Sequence, residues 1–172
     1  MKLFLRHLGE SLRSYPQIRF TKNDEILIRD SAISHLGHDN LNQLRDRFEG
    51  QAFFEKTMRN IGGLMALQKH LKVSPFDFNN ANLKDFLPYI KVDGQRIDIN
   101  VFEFGQLPMV KVKEVNNPIY FIIQKDSLTF LLCGYAPKTV VNEHLVETLV
   151  ETSSTDELME FVGFQHLQQI ED

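Results

Sequence analysis

The chain has 172 residues, of which 42% are apolar and 24% charged; this is ordinary for a globular protein and excludes a disordered chain, a collagen-like repeat or a coiled-coil rod. No apolar run approaches the ~18 residues of a membrane-spanning helix, the apolar stretch in Met1–His7 is too short for a signal peptide, and the single cysteine, Cys133, has no internal disulfide partner, which points to a reducing, cytoplasmic home. The net charge of −4 hides an asymmetry: residues 142–172 hold eight acidic side chains and no Lys or Arg, which leaves 19 basic against 15 acidic residues before them, a balance of +4.

No internal repeat or linker divides the chain, so one domain over 1–172 is expected, in three zones. The first, 1–72, reads as mostly helical. Leu3, Leu5, Leu8 and Leu12 suggest a short helix that stops before Tyr15-Pro16, because proline pushes the preceding residue out of the helical region. Residues 18–20 and 25–29 read as short strands flanking Asn23-Asp24. Leu41, Leu44, Phe48, Ala52, Met58, Ile61, Met65 and Leu71 then recur at helical spacing, with Asp39 or Asn40 as the cap. Gly50 and the pair Gly62-Gly63 cost helix stability and mark a break or a close backbone approach.

The second zone, 85–135, reads as a sheet. Residues 86–92 and 95–104 flank Asp93-Gly94, the strongest hairpin signal in the chain. Residues 109–115 form a third strand, followed by the turn Asn116-Asn117-Pro118. The nearly all-apolar 119–124 reads as a strand covered on both faces. Residues 128–133 follow, with Gly134 ending the sheet. The third zone, 138–172, reads as acidic helices. Val140, Val141, Leu145 and Leu149 stripe one; Ser153-Ser154-Thr155-Asp156 caps another, which carries Leu158, Phe161, Val162 and Leu167. The order of helices, antiparallel-rich sheet and helices argues for an α+β fold.

Four acidic or polar positions converge if the hairpin forms. Asp85 opens its first strand and Asp98 lies on the second. Asn100 shares the face of Asp98, because strand side chains alternate with period two. Glu55 sits on the preceding helix. The stretch Ile90-Lys91-Val92-Asp93-Gly94-Gln95-Arg96-Ile97-Asp98-Ile99-Asn100, with Pro118–Ile123 and Leu132–Ala136 downstream, resembles the PD-(D/E)xK restriction-endonuclease-like superfamily over about 49–140. The resemblance implies a helical Glu, an Asp opening a strand, and Asp/Glu-x-Lys on the next. In that chemistry two carboxylates hold Mg²⁺, which polarises phosphate and activates water, and the lysine stabilises developing charge. Asp85 and Asp98 are then the metal ligands and Glu55 the helical carboxylate. The lysine position holds the neutral Asn100, with Lys111, Lys113 or Lys91 as substitutes. The plainer readings are a pairing of Asp98 with Arg96 or Lys91, a turn or cap role for Asp85 beside Asn82, and an i,i+4 pair of Glu55 with Arg59. Glu49 is a second helical carboxylate. A further likeness, carried by Thr57–Leu64, Leu67, Leu71, the Val-Ser-Pro-Phe-Asp-Phe segment and Leu-Leu-Cys-Gly-Tyr, is to a cyanobacterial domain family of unassigned activity; it implies lineage and no mechanism.

His35 and His38, three apart, lack a third metal ligand and read as surface histidines. Cys133 reads as a buried strand thiol rather than a nucleophile. No phosphate-binding glycine loop or serine elbow is present. Phe102 and Phe104 read as sheet packing rather than a stacking platform for single strands. The expected function is that of a catalytically degenerate nuclease-like fold that binds a partner, protein or nucleic acid. The alternatives are a Mg²⁺-dependent nuclease with a displaced lysine, and a subunit of a homo-oligomer joined through the C-terminal helices. The acidic segment covers a basic surface in the functional reading and is a pair of solvated helix faces in the plainer one.

Overall fold

The computed structural model describes residues 1–36, 50–72, 88–148 and 157–170. Its elements in chain order are α1 (Lys2–Leu8), β1 (Gln17–Arg19), α2 (Lys22–His35), α3 (Gly50–Leu71), β2 (Tyr89–Val92), β3 (Gln95–Glu103), β4 (Met109–Lys111), β5 (Ile119–Asp126), β6 (Thr129–Ala136), α4 (Lys138–Glu143), β7 (Leu145–Glu147) and β8 (Leu158–Phe161). The strands form two sheets, ordered β1-β6-β5-β3-β2 and β4-β8-β7. The fold class is α+β.

The alternation of β5 explains the layering. Tyr120 and Ile122 face a core with Ala32, Ile61 and Leu64 of the long helices. Ile119, Phe121 and Ile123 face a second core with Phe4, Val110, Val141 and Phe161. The strand is apolar throughout because both of its faces are covered. Helices α2 and α3 thus cover one side of the large sheet, and α1, α4 and the small sheet contribute to the core on the other.

The Asp93-Gly94 hairpin is present, with positive φ at both residues (51° and 80°), as the primed hairpin turns require. Gly62 and Gly63 do not break α3. A Cβ on Gly62 would lie 2.5 Å from the Phe130 ring, and one on Gly63 would lie 2.4 Å from a Val101 methyl. The pair lets the helix backbone approach β6 and β3 closely.

Several sequence expectations are corrected. Residues 25–29 are helical, not a strand. Thr21 and Asp24 form a reciprocal capping box that starts α2, and the cap outweighs the short apolar run Ile26-Leu27-Ile28. The large sheet contains one parallel pair, β3 with β5, because the chain crosses through β4 between them. Of residues 109–115 only Met109–Lys111 are a strand, and they belong to the small sheet; Val112–Glu114 form a 3-10 turn. Gly134 does not end β6. It sits beside a register shift at φ +120°, and a Cβ there would meet the Gln168 carbonyl at 2.6 Å. Among the described residues, the acidic helical zone of 138–172 is helical at Lys138–Glu143 and in the 3-10 turn Phe164–His166, and Leu145–Glu147 and Leu158–Phe161 are paired strands. Apolar residues three apart over so short a stretch fit either period, and pairing with β4 decides between them. The expected helix start at 39–49, with Glu49, and the cap at 153–156 lie outside the described residues, as do His38 and Asp85. Among the described residues, no helix is long and apolar enough to cross a membrane.

Candidate functional site

Asp98 and Asn100 lie on the same face of β3, as the period of two requires. Asp98 is buried at 2% exposure, and a buried carboxylate needs partners for its charge. Arg96, two residues earlier on the same strand, donates from Nε to Oδ1 at 2.7 Å. Asn117, in the turn before β5, donates from Nδ2 to Oδ2 at 3.1 Å. Both oxygens are therefore engaged. The guanidinium of Arg96 also lies over the Tyr89 ring, 4.2 Å from its centroid, and Tyr89 faces Asp98 across the β2–β3 ladder. This is an ion pair anchored on an aromatic ring.

Of the other proposed members, Asp85 lies outside the described residues, and the rest make contacts of their own. Glu55 is exposed on α3 and accepts from Gln51 Nε2 at 2.9 Å; the expected pair with Arg59 is not its contact. Asn100 donates from Nδ2 to the Met109 carbonyl at 2.9 Å, tying β3 to β4. Lys111 pairs with Glu114 at 3.3 Å within its own turn. Lys91 and Lys113 are exposed. Among the described residues, no three His, Cys, Asp or Glu side chains are grouped to hold a metal. The resemblance implies Mg²⁺, and the described donor set does not fit it: the one buried carboxylate faces a guanidinium, and the position after next offers a neutral amide already in use. Cys133 is buried, and burial pushes its thiol well above the usual range, which makes it unreactive.

A different set of side chains converges at the far half of β3. Strand β2 ends opposite Asp98. Beyond that point a cavity of about 150 Å³ lies between α3, β3 and β4, lined by Lys56, Arg59, Asn60, Asn100, Glu103 and Gln106 among others. Lys56, Arg59, Asn60 and Gly63 are spaced i, i+3, i+4 and i+7, one face of a helix, and the contact of Gly63 with Val101 brings that face onto β3. Arg59 donates from Nε to Gln124 Oε1 at 3.1 Å and from Nη2 to Glu103 Oε1. The second oxygen of Glu103 accepts from Gln106 Nε2 at 3.0 Å. Burial, then the charges of Lys111 and Arg59, push the Lys56 ammonium below its ordinary pKa. The sequence signal for this cluster is a basic pair and an amide on one helical turn before a glycine pair; read for its apolar stripe alone, α3 does not reveal it. Comparison with protein-family models, curated proteins and solved structures gives no match.

Proposed function

We propose that the chain is a binding protein, built on a degenerate nuclease-like frame, that holds its partner without metal-dependent cleavage. The observation that carries this reading is the Asp98 carboxylate, whose two oxygens are taken up by Arg96 and Asn117. A cation at that position competes with a guanidinium already in place, and displacing the guanidinium takes away the partner of a buried carboxylate. The frame is supported by the succession of α3, the β2–β3 hairpin, β5 and β6, with α3 packed on β3 and β6. A reducing, cytoplasmic setting belongs to the same reading and is supported by a single cysteine, Cys133, that is buried. So does self-association through the C-terminal segment, where β7 is an outer strand of its sheet.

The test is thermal unfolding of the full chain with Mg²⁺ or Mn²⁺. A ligand that binds only the folded state raises the unfolding midpoint by mass action. The expected midpoint is unchanged by millimolar metal relative to an ionic-strength control. A saturable rise that Asp98→Asn abolishes overturns the reading in favour of a metal-dependent nuclease.

A further inference from the structure

We propose that His144 and His166 form a two-imidazole chelate for a divalent late transition-metal ion such as Zn²⁺, at the junction of α4 and the C-terminal segment. The inference goes beyond the binding reading and does not rest on it. His144 follows α4 and is half-buried; His166 ends the 3-10 turn Phe164–His166 and is exposed. Their ring centroids lie 4.3 Å apart with a tilt of 44°. Two nitrogen ligands of a tetrahedral Zn²⁺ stand about 3.3 Å from each other, a separation that rings this close reach by rotating about their side-chain bonds. The fold also fixes where the lone pairs are. Nδ1 of His144 lies 2.9 Å from the Val140 carbonyl. A carbonyl only accepts, so Nδ1 carries the proton and Nε2 the lone pair. A backbone carbonyl behind one ring nitrogen is the arrangement that orients metal-ligating histidines. On His166, Nε2 lies 3.1 Å from Gln165 Nε2. An amide nitrogen only donates, so Nε2 again holds the lone pair. Gln165 is exposed and gives way to an ion by turning its side chain into water.

The backbone holds both residues in place. The His144 N–H donates to the Val141 carbonyl at 3.2 Å, and its carbonyl accepts from the Val162 N–H at 3.0 Å, so the residue is tied to α4 and to the end of β8. The His166 N–H donates to the Gly163 carbonyl at 3.0 Å, and Phe164 anchors the turn in the second core. Gly163 stands between the two. A Cβ there would lie 2.7 Å from the His144 Cβ, so glycine is what lets His144 lie against the turn. Imidazole nitrogens suit Zn²⁺, Ni²⁺ and Cu²⁺, whereas Mg²⁺ takes oxygen. Among the described residues no third His, Cys, Asp or Glu joins the pair, so the ion keeps open positions for solvent or a further ligand. Half the binding free energy of a four-ligand zinc site corresponds to a dissociation constant of about 1–100 µM. An ion at this point fastens the C-terminal segment to α4.

The test titrates the full chain with Zn²⁺ near neutral pH, with Mg²⁺ at matched ionic strength as the control. Zn²⁺ is expected to raise the unfolding midpoint saturably by mass action, and Mg²⁺ is not. His144→Phe and His166→Phe each keep a ring and remove its nitrogens. Each is expected to bind Zn²⁺ on the order of a hundredfold more weakly, since half of the chelate is gone. As a readout that needs no variant, and so holds even where one fails to fold, Zn²⁺ is expected to protect His144 and His166, and not His7, from diethyl pyrocarbonate, read by mass spectrometry. A midpoint that Zn²⁺ leaves unchanged, a rise that both variants keep in full, which marks an adventitious ion only, or equal modification of the pair with and without Zn²⁺ overturns the proposal. The Mg²⁺ or Mn²⁺ titration with Asp98→Asn reads the carboxylate and this one reads the histidines, so either reading can fail while the other stands.

Discussion

Asp98 and Asp24 illustrate two ways in which the fold holds a carboxylate. Asp98 is matched by a cation and an amide within hydrogen-bond reach, which leaves nothing for a ligand to relieve. Thr21 and Asp24 show a second arrangement, in which charge caps a helix. Asp24 accepts from the Thr21 backbone N–H at 2.8 Å and from Lys69 Nζ at 3.1 Å, and the Thr21 hydroxyl accepts from the Asp24 N–H. The Thr21 backbone bond, then Lys69, hold the Asp24 carboxyl below its ordinary pKa of 3.8, against the opposing effect of burial. A carboxylate whose folded pKa is depressed contributes stability above its unfolded value and loses it as pH falls through the folded one. Thr21→Ala is therefore expected to cost about 1 kcal/mol at neutral pH. Asp24→Asn is expected to lower stability at pH 7 and to match the parent once the pH is low enough to protonate the folded carboxyl. Denaturant midpoints at the two pH values check this; an equal deficit at both locates the effect in packing rather than charge. The sequence made the shared face of Asp98 and Asn100 legible, and Arg96 is close enough in the chain to be read as the partner. Asn117 was not legible in that role, because it reaches Asp98 only through the crossover that makes β3 and β5 parallel.

At the scale of elements, α3 is positioned by what it lacks. Gly62 and Gly63 are buried in mid-helix, where glycine costs ~1 kcal/mol against alanine, so their presence needs a packing reason. The reason is the 2.5 Å and 2.4 Å that a Cβ would leave to Phe130 and Val101. Alanine at either site is expected to destabilise by about 1–3 kcal/mol through overpacking, despite its better helix propensity. Phe130→Leu is expected to recover part of the Gly62→Ala loss, and Val101→Ala part of the Gly63→Ala loss. Crossing the pairs, Gly62→Ala with Val101→Ala, is expected to give simple additivity. Denaturant unfolding of the four single and three double variants checks this; rescue that ignores the pairing defeats the account. The glycine pair announced itself in the sequence because it broke a strong helical stripe. The capping box at Thr21 was equally present, but the apolar run Ile26-Leu27-Ile28 drew the strand reading; only Ile28 of the three is buried. Strands β7 and β8 had no comparable local signal. Their spacing fits a helix, and they are strands because β4, some fifty residues earlier, offers an edge to β8.

At the scale of the whole molecule, the acidic segment is built into the body. Met159 pairs with Val110, and the Val112 N–H donates to the Glu157 carbonyl at 3.2 Å. Phe161 stacks on Phe121 at 4.4 Å, nearly coplanar at 6°, and Phe164 closes on both rings. Deleting the segment removes part of the second core, so truncation cannot separate charge from packing. Substitution can. Glu147, Glu157 and Glu160 lie along β7, β8 and the turn before β8, and changing them with Glu151 to Gln removes four negative charges while keeping the apolar residues. Exposed charges of this kind usually matter by less than ~0.5 kcal/mol each, so the fold is expected to survive, checked by an unchanged denaturant midpoint and slope. The residues before position 142 carry +4 and the whole chain −4. If the acidic strands screen the basic body, the substituted protein gains affinity for a DNA or RNA oligonucleotide at low salt. That affinity falls steeply with added salt, because phosphate contacts release counterions. A folded four-Gln variant that shows no such binding leaves Phe161 and Phe164 as the reason for the segment, and its acidic residues as net negative charge that keeps copies apart.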